Sequence, residues 1–234
     1  MKLHRFIGDF DVTKEGFSVT DAALVLQMRK VLKLSIGERV ILGDGKGEET
    51  ICEIISYGKD SVEFGACDFQ GENENESIYE TLLCLSILKN DHFELAVQKA
   101  TEVGITSIVP ILTKRTVKLN VKADRLRKIV KEAAEQSHRG VLPIVREPLY
   151  FPDALIEARD RGTALFFDGA TDAKDVTAIK TKGPSYLFIG PEGGWDDAER
   201  VLARDAKAQT VTLGPTTLRA ETAAIIASYL FTHD

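Results

Sequence analysis

The 234-residue sequence lacks the run of roughly 20 apolar residues that a membrane-spanning helix requires. Its first ten residues mix charged and apolar side chains, and they lack the apolar centre of a signal peptide. These two absences predict a cytoplasmic protein with no membrane partner. Hydrophobic residues form 44% of the chain and charged residues 28%, which predicts a folded, globular protein.

Cysteine and histidine are scarce and scattered. The three cysteines, Cys52, Cys67 and Cys84, form no Cys-x-x-Cys pair, so we expect reduced structural thiols. The four histidines are far apart in the sequence, and no zinc-binding constellation is visible. We therefore expect no metal.

Positive charge is in deficit overall, since the net charge is −6, but it is concentrated in one stretch. An excess of lysine and arginine between Lys114 and Arg139 predicts a local phosphate-binding surface for RNA. The alternative is a solvated helix face. The candidate RNA-binding residues in this stretch are Lys114, Arg115, Lys118, Lys122 and Arg125.

An acidic, polar segment at residues 71–77 predicts a linker between two domains, 1–70 and 78–234. In the first domain, a glycine-rich turn at 43–47 separates two apolar strands, and a further strand follows at 61–64. One helix is predicted after an N-cap at Thr20, with an apolar face formed by Ala23, Leu26, Val31 and Leu34. This pattern favours a small β-barrel.

Strands and helices alternate in the second domain. Apolar runs predict strands at 82–88, 107–112, 142–145, 164–167, 186–189 and 210–213. Helices are predicted at 91–104, where Asp91 and Glu94 form a capping-box pattern, and at 124–138, 196–206 and 218–231. Such alternation is typical of an α/β fold whose mostly parallel sheet is covered by helices on both faces.

Two glycine- and proline-containing loops follow the last two predicted strands, at 189–195 and 213–223. Ligands bind at this edge of open α/β sheets, so we expect the loops to lie side by side around a ligand. Neither loop is a Walker A or a GxGxxG fingerprint, which argues against a pyrophosphate ligand. An ordinary glycine-rich turn is the alternative.

Two charged residues lie at the start of the last predicted helix. Arg219 is a cation at the positive end of a helix, where it needs an anionic partner such as an RNA phosphate. Glu221 suits this position, so a partner of the helix dipole is its alternative role. We predict that the helix buries Leu218, Thr222, Ile225, Ile226 and Tyr229.

Five segments, in this order, resemble the ribosomal RNA small subunit methyltransferase E family of the SPOUT superfamily. They are His4–Phe6, Phe93–Gly104, Glu132–Arg139, Ile189–Gly194 and Leu213–Ala223. The departures are mild: Trp195 stands where phenylalanine is usual, and Val103 where leucine is usual.

The resemblance implies an α/β SPOUT domain with a C-terminal trefoil knot, preceded by a PUA-like β-barrel that helps to bind RNA. It implies a homodimer, to which small residues in the last helix, such as Ala220, Ala223, Ala224 and Ala227, would contribute unless they are buried within one subunit. The implied reaction is S-adenosylmethionine-dependent methylation of N3 of a uridine in 16S ribosomal RNA, either free or in the small subunit.

This chemistry requires removal of the N3 proton and stabilisation of charge on the base, while the sulfonium is already activated and needs no metal. The candidate catalytic residues are Arg139, Arg219 and Glu221, and Arg5 is a candidate RNA contact in the barrel. The candidate cofactor-binding residues are Phe167, Ile189, Gly190, Pro191, Glu192, Gly194, Leu213, Gly214, Leu218 and Thr222.

Two other functions fit parts of the sequence. A nucleotide-dependent oxidoreductase or transferase on an ordinary doubly wound sheet fits the alternation, but the GxGxxG fingerprint is missing. An RNA-binding ribosome-assembly protein without catalysis fits the barrel and the basic stretch, but it leaves the two ligand loops unexplained.

Overall fold

The computed structural model describes residues 3–72, 76–89, 91–116, 121–169, 173–179, 181 and 183–233. Its contacts divide the chain into two compact units. The first comprises Met1–Glu76 and Ala134–Leu142, and the second comprises Ser77–Ala133 and Pro143–Asp234. Residues 134–142, which the sequence analysis places in the second domain, therefore cluster with the first unit.

The first unit is built on a five-stranded sheet in the order β1-β3-β4-β5-β2. The strands are β1 (His4–Ile7), β2 (Phe17–Thr20), β3 (Arg39–Gly43), β4 (Glu48–Tyr57) and β5 (Ser61–Glu72). β1 pairs with β3 in parallel, and the other pairs are antiparallel. The sheet curls into a half-barrel over a core that includes Phe6, Met28, Leu42 and Ile54. This half-barrel agrees with the small β-barrel that the sequence predicts.

The helix of this unit differs from its prediction. The N-cap is Asp21, whose carboxylate accepts hydrogen bonds from the N–H groups of Ala23 and Leu24. Helix α1 (Ala22–Leu26) then widens into a π-helical turn at Gln27–Val31. The buried side chains are Leu24, Val25 and Met28, so most of the predicted apolar face was wrong: Leu26 and Val31 are exposed, whereas Leu34 is buried as predicted.

Cys52 and Cys67 form a disulfide between β4 and β5, which corrects the expectation of three reduced thiols. The two residues are 15 positions apart in the sequence. The antiparallel register, in which Ile51 faces Asp68 and Glu53 faces Gly65, brings them together. Cys84 is a free thiol, and its burial raises its pKa.

The second unit contains an eight-stranded sheet in the order β11-β13-β10-β12-β6-β7-β8, with β9 paired to β7. Every pair is parallel, which confirms the predicted α/β fold. The strands are β6 (Thr81–Ser86), β7 (Ser107–Leu112), β8 (Ile144–Val145), β9 (Leu149–Tyr150), β10 (Thr163–Phe167), β11 (Lys174–Asp175), β12 (Ser185–Ile189) and β13 (Gln209–Thr212).

Five helices accompany this sheet: α2 (His92–Glu102), α3 (Ala123–Ser137), α4 (Phe151–Arg161), α5 (Asp197–Asp205) and α6 (Ala220–Thr232). α3 runs from the second unit into the first. α4 was not predicted, although a proline in the first turn, here Pro152, is typical of the start of a helix. It buries Phe151, Ala154, Leu155 and Ala158 in the core.

The capping box predicted for α2 does not form, since the Asp91 side chain caps no N–H group. Glu94 instead forms an ion pair with Arg125 of α3. A capping box does form at α5, where Asp196 and Glu199 cap each other's backbone N–H groups. No helix in the described part of the chain is long and apolar enough to cross a membrane.

The buried face predicted for α6 was wrong. The helix turns small residues inward, including Ala224, Ala227 and Ser228, and leaves Ile226, Tyr229 and Leu230 exposed. Its C-terminal end is held by Thr232, whose hydroxyl donates to the carbonyl of Val103 just after α2. Large apolar residues predict the buried side poorly when small residues bring a helix close to its neighbours.

Candidate active site

Three loops meet at the carboxyl edge of the second sheet. They follow β10, β12 and β13, and β10 lies between the other two strands. The two loops predicted to be direct neighbours are therefore separated by the end of β10, at Phe167, Asp168 and Gly169. Strand order is set by packing of the whole sheet, so the sequence did not reveal this third loop.

Two adjoining cavities open among these loops. One, of about 500 Å³, is lined by the loop after β13, including Leu213, Gly214 and Leu218. The other, of about 470 Å³, is lined by residues 189–192, 194–195 and 217–221, together with His92. Phe167 to Gly169, Thr217, Leu218 and Ala223 line both. Their size is that of small-molecule sites.

Nearly all the candidate cofactor-binding residues line this pair of cavities. Ile189, Gly190, Pro191, Glu192 and Gly194 line the second cavity, Leu213 and Gly214 the first, and Phe167 and Leu218 both. Thr222 is half-buried on α6 and lines neither cavity. The structure also adds Asp168, which the sequence analysis missed although it directly follows a buried strand.

Trp195 fixes the glycine-containing loop to the sheet. It is 2% exposed, and its indole Nε1–H donates to the carbonyl oxygen of Phe167 at 2.9 Å. Its ring packs against Phe166 and Phe151, with centroids 4.5 and 4.9 Å apart. A Cβ added to Gly190 would lie 2.9 Å from Cε2 of this indole, so glycine is required there.

Ion pairs and hydrogen bonds hold the neighbouring loops in place. Glu192 accepts a hydrogen bond from the N–H of Lys89 at 2.8 Å. The guanidinium of Arg115 donates to the carbonyl of Gly193, and Lys114 pairs with Asp196. The Lys114 ammonium lowers the pKa of the Asp196 carboxyl. Asp168, in turn, accepts from Arg200 at 2.7 Å, which raises the pKa of that guanidinium.

The start of α6 brings charged groups to the second cavity. Arg219 is the N-cap residue, one position before the helix, and its exposed guanidinium pairs with no carboxylate in the described ranges. Glu221 is buried, and its Oε2 lies 3.8 Å from Nδ1 of His92. The cavity wall thus combines a carboxylate, a histidine and an arginine, which is a set suited to proton transfer and to binding an anion.

The chain is similar to known RNA methyltransferases over both units. A profile described as RNA methyltransferase domain matches residues 74–232, and one described as RNA methyltransferase PUA domain matches residues 28–67. The ribosomal RNA small subunit methyltransferase E of Bacillus subtilis is 31% identical over 225 residues, covering 90% of this chain and 87% of that protein. The chain belongs to the ribosomal RNA small subunit methyltransferase E family.

Solved structures agree with this membership of the methyltransferase E family. A methyltransferase E from Neisseria gonorrhoeae, bound to S-adenosyl methionine, is 29% identical with a TM-score of 0.85 and covers 97% of this chain and 95% of its own. A putative methyltransferase from Legionella pneumophila, in complex with the same cofactor, is 27% identical with a TM-score of 0.88, covering 99% and 97%.

Arg139, one of the catalytic candidates in this family member, is 3% exposed and belongs to the first unit. Its Nη2 donates to Glu76 at 2.8 Å, and the same carboxylate accepts from the N–H groups of Gly140 and Val141. The cavities are formed by the second unit. The structure therefore gives Arg139 a structural partner, which sequence reasoning missed because Glu76 lies 63 residues away.

Arg5 is likewise buried. Its Nη2 donates to Glu49 at 2.8 Å, and burial lowers the pKa of the guanidinium. Because the side chain is buried in this arrangement, RNA cannot reach it, which disfavours its predicted role as an RNA contact. This ion pair was not predicted, because Glu49 is on β4 and its proximity to Arg5 depends on the sheet register.

The basic stretch is partly neutralised. Arg125 is bound by Glu94, which raises the pKa of its guanidinium, and Lys114 and Arg115 contact the loop that precedes α5. Lys122 is exposed and pairs with no carboxylate among the residues described. Lys118 lies outside the described residues. No cluster of histidine, cysteine or carboxylate side chains in the described ranges could hold a metal ion.

Proposed function

We propose that this protein transfers a methyl group from S-adenosylmethionine to N3 of a uridine in 16S ribosomal RNA. The observation that carries the proposal is the pair of adjoining cavities at the three carboxyl-end loops, in a member of this methyltransferase family. The similar structures from Neisseria gonorrhoeae and Legionella pneumophila hold bound S-adenosylmethionine, and methyltransferase relatives span nearly the whole chain.

The residues at the cavities fit such a cofactor. A Cβ placed on Gly194 or Gly214 would meet no atom within 4 Å, so the backbone faces open space at both positions. Phe167, Leu213 and Leu218 supply apolar surface, and the loop backbone supplies polar groups. When bound, the cofactor supplies an electrophilic methyl group on a sulfonium.

The chain's own task is to position the uridine and to manage its N3 proton. Neutral uridine N3 carries a proton, so a base must accept that proton before or during transfer. We assign this role to Glu221, whose carboxylate lies in the cavity wall. Arg219, exposed at the positive end of α6, is suited to bind an RNA phosphate or the anionic uracil oxygens.

We assign RNA binding to the half-barrel of the first unit and to the exposed lysines and arginines near α3, with Lys122 as the clearest candidate. A homodimer would cover the apolar side chains that α6 leaves exposed, among them Ile226, Tyr229 and Leu230. Cytoplasmic location, the absence of a metal and the trefoil knot of the C-terminal loops remain predictions from the sequence and the family.

The decisive experiment is methylation in vitro. The purified protein is incubated with S-adenosylmethionine carrying an isotopically labelled methyl group and with small ribosomal subunits, or free 16S RNA, from cells that lack the enzyme. Nucleoside mass spectrometry should then detect labelled N3-methyluridine. Label on another base or on ribose would refute the N3 assignment, and RNA binding without any transfer would favour the assembly protein.

Cofactor binding is tested separately by calorimetry with S-adenosylhomocysteine. Gly214→Trp should abolish binding, because the indole would occupy the first cavity. Circular dichroism and thermal unfolding control for the fold, since φ of Gly214 is +118° and any side chain there is strained. Unchanged affinity in a folded variant would show that the cofactor binds elsewhere. A second titration with NAD tests the oxidoreductase alternative.

A further inference from the structure

One oxygen of a buried carboxylate in the second cavity has no hydrogen-bond donor. The Glu221 side chain is 9% exposed, and its Oε2 accepts no hydrogen bond from any residue in the described part of the chain. Buried carboxylate oxygens are normally satisfied, because an unpaired one costs free energy. This oxygen is therefore available to a proton on a bound substrate.

The other carboxylates of the cavity wall are already engaged. Glu192 accepts from the N–H of Lys89, and Asp168 accepts from Arg200. Only Glu221, among the described carboxylates that line this cavity, has a buried oxygen without a donor. The geometry thus singles it out as the group that could take a proton from the substrate.

A histidine side chain lies close to this oxygen. Nδ1 of His92 lies 3.8 Å from Oε2, too long for a hydrogen bond but within reach of a small side-chain rotation or one bridging water. His92 is the first residue of α2, and its side chain is 40% exposed. It therefore connects the buried carboxylate to solvent.

We propose that His92 relays the uridine N3 proton from Glu221 to solvent, an inference that rests on the proposed function. Oε2 accepts the N3 proton, and the freed nitrogen electron pair forms the N–CH₃ bond. The methyl–sulfur bond breaks, and its electron pair stays on sulfur as a neutral thioether. The proton then moves from Oε2 to Nδ1, and the imidazolium releases it to water.

The relay solves a problem that the burial of Glu221 creates. A carboxylate that keeps the proton cannot act in the next turnover, and its burial slows direct exchange with water. Histidine is suited to this step, because an imidazole nitrogen can accept a proton and release it again. The charged residues that line the cavity with it are Glu221 and Arg219 from α6 and Glu192 and Asp168 from the neighbouring loops, and Lys89 and Asp91 are near it in the sequence.

The experiment compares His92→Asn, Glu221→Gln and the double variant with the wild-type protein. Asparagine keeps a polar group at the position of Nδ1 but does not titrate. His233→Asn is the matched control, because His233 lies 12 residues after Glu221, about 18 Å along the helix axis. The measurements are methyl-transfer rates to 16S RNA under single- and multiple-turnover conditions from pH 5.5 to 8.5, and calorimetric affinity for S-adenosylhomocysteine.

Glu221→Gln should slow single-turnover transfer by about 100-fold, the low end for loss of acid–base catalysis. His92→Asn should slow multiple turnover by about 10-fold and change the pH dependence of the rate, because asparagine does not titrate. In the Glu221→Gln background, His92→Asn should add nothing, since both act on the same proton. Cofactor affinity and the His233→Asn rates should match wild type.

Two results overturn the relay while leaving the proposed function intact: a His92→Asn pH profile identical to that of the active wild type, or equal slowing by His92→Asn with and without Glu221. A loss of cofactor affinity or thermal stability that accounts for the slower rate would also overturn it, because His92 would then be structural. If the wild type itself transfers no methyl group, the proposed function fails and the relay fails with it.

Discussion

Alanine at position 190 should damage both the fold and the cofactor site, because Gly190 and Trp195 are in contact. The added Cβ would lie 2.9 Å from Cε2 and 3.0 Å from Nε1 of the indole, whereas ordinary contacts are 3.4–4 Å. The indole cannot retreat easily, since it is buried against two phenylalanine rings and bonded to the carbonyl of Phe167. Either the backbone at position 190 or the Trp195 ring must therefore move.

Overpacking of this kind typically costs about 1–3 kcal/mol. For a unit of this size, each kcal/mol lowers the melting temperature by about 2–4 °C, so we expect a decrease of roughly 2–12 °C. The affinity for S-adenosylhomocysteine should also fall, because the displaced loop lines the second cavity. Differential scanning calorimetry and isothermal titration measure the two effects.

Two controls isolate the steric cause. Gly169→Ala makes the same change at the cavity edge where a Cβ meets no atom within 4 Å, so its cost should stay within about 0.5 kcal/mol. Trp195→Phe removes Nε1 and the fused ring, and Gly190→Ala should cost at least about 0.5 kcal/mol less in that background. Strictly additive costs, or a Gly190→Ala protein as stable as wild type, would refute the reasoning.

Three further predictions concern charged side chains. Arg146 lowers the pKa of Glu157 through a bidentate ion pair. The ion pair therefore stabilises the fold above the ordinary glutamate pKa of 4.5, and this stabilisation is lost as the pH falls through the lowered pKa. The stability difference between Glu157→Gln and wild type should therefore shrink in urea titrations as the pH drops below about 4.5. Arg139→Ala should destabilise the protein by roughly 2–4 kcal/mol, because Glu76 loses its cation. If the variant were as stable as the wild type, a purely catalytic role for Arg139 would again be favoured. Lys122→Gln should make the slope of log K against log salt less steep by about 0.7–0.9 in filter binding to 16S RNA. Lys207→Gln is the control. An unchanged slope would show that Lys122 is a solvated side chain that contacts no phosphate.

The sequence predicted the elements that local patterns define. Apolar runs such as Ser107–Leu112 marked buried parallel strands, and glycine at 104 marked the end of α2, where φ is +99°. The ligand loops were also found, because glycine and proline follow buried strands at the carboxyl edge of the sheet. These signals arise within a few residues of one another, so they can be recognised without the tertiary structure.

What the sequence did not predict depends on partners far along the chain. Arg5 was predicted to contact RNA and Arg139 to be catalytic, but Glu49 and Glu76 bind them inside the first unit. The disulfide between Cys52 and Cys67 follows from the strand register, and the place of β10 between the two ligand strands follows from the sheet order. His92 was not predicted as a site residue, because it comes close to Glu221 only after α2 and α6 have packed together.

That packing gives the small residues of α6 a functional consequence. α6 packs against α2, and it buries Ala220, Ala224, Ala227 and Ser228 while its larger apolar residues face outward. The distance between packed helices depends on the side chains at their contact, so small residues allow a close approach. Thr232 fixes the far end of α6 to the carbonyl that follows α2. The packing of α6 on α2, with the Thr232 hydroxyl bonded across its far end, therefore helps to place Glu221 near His92, the two groups on which the proposed proton path depends.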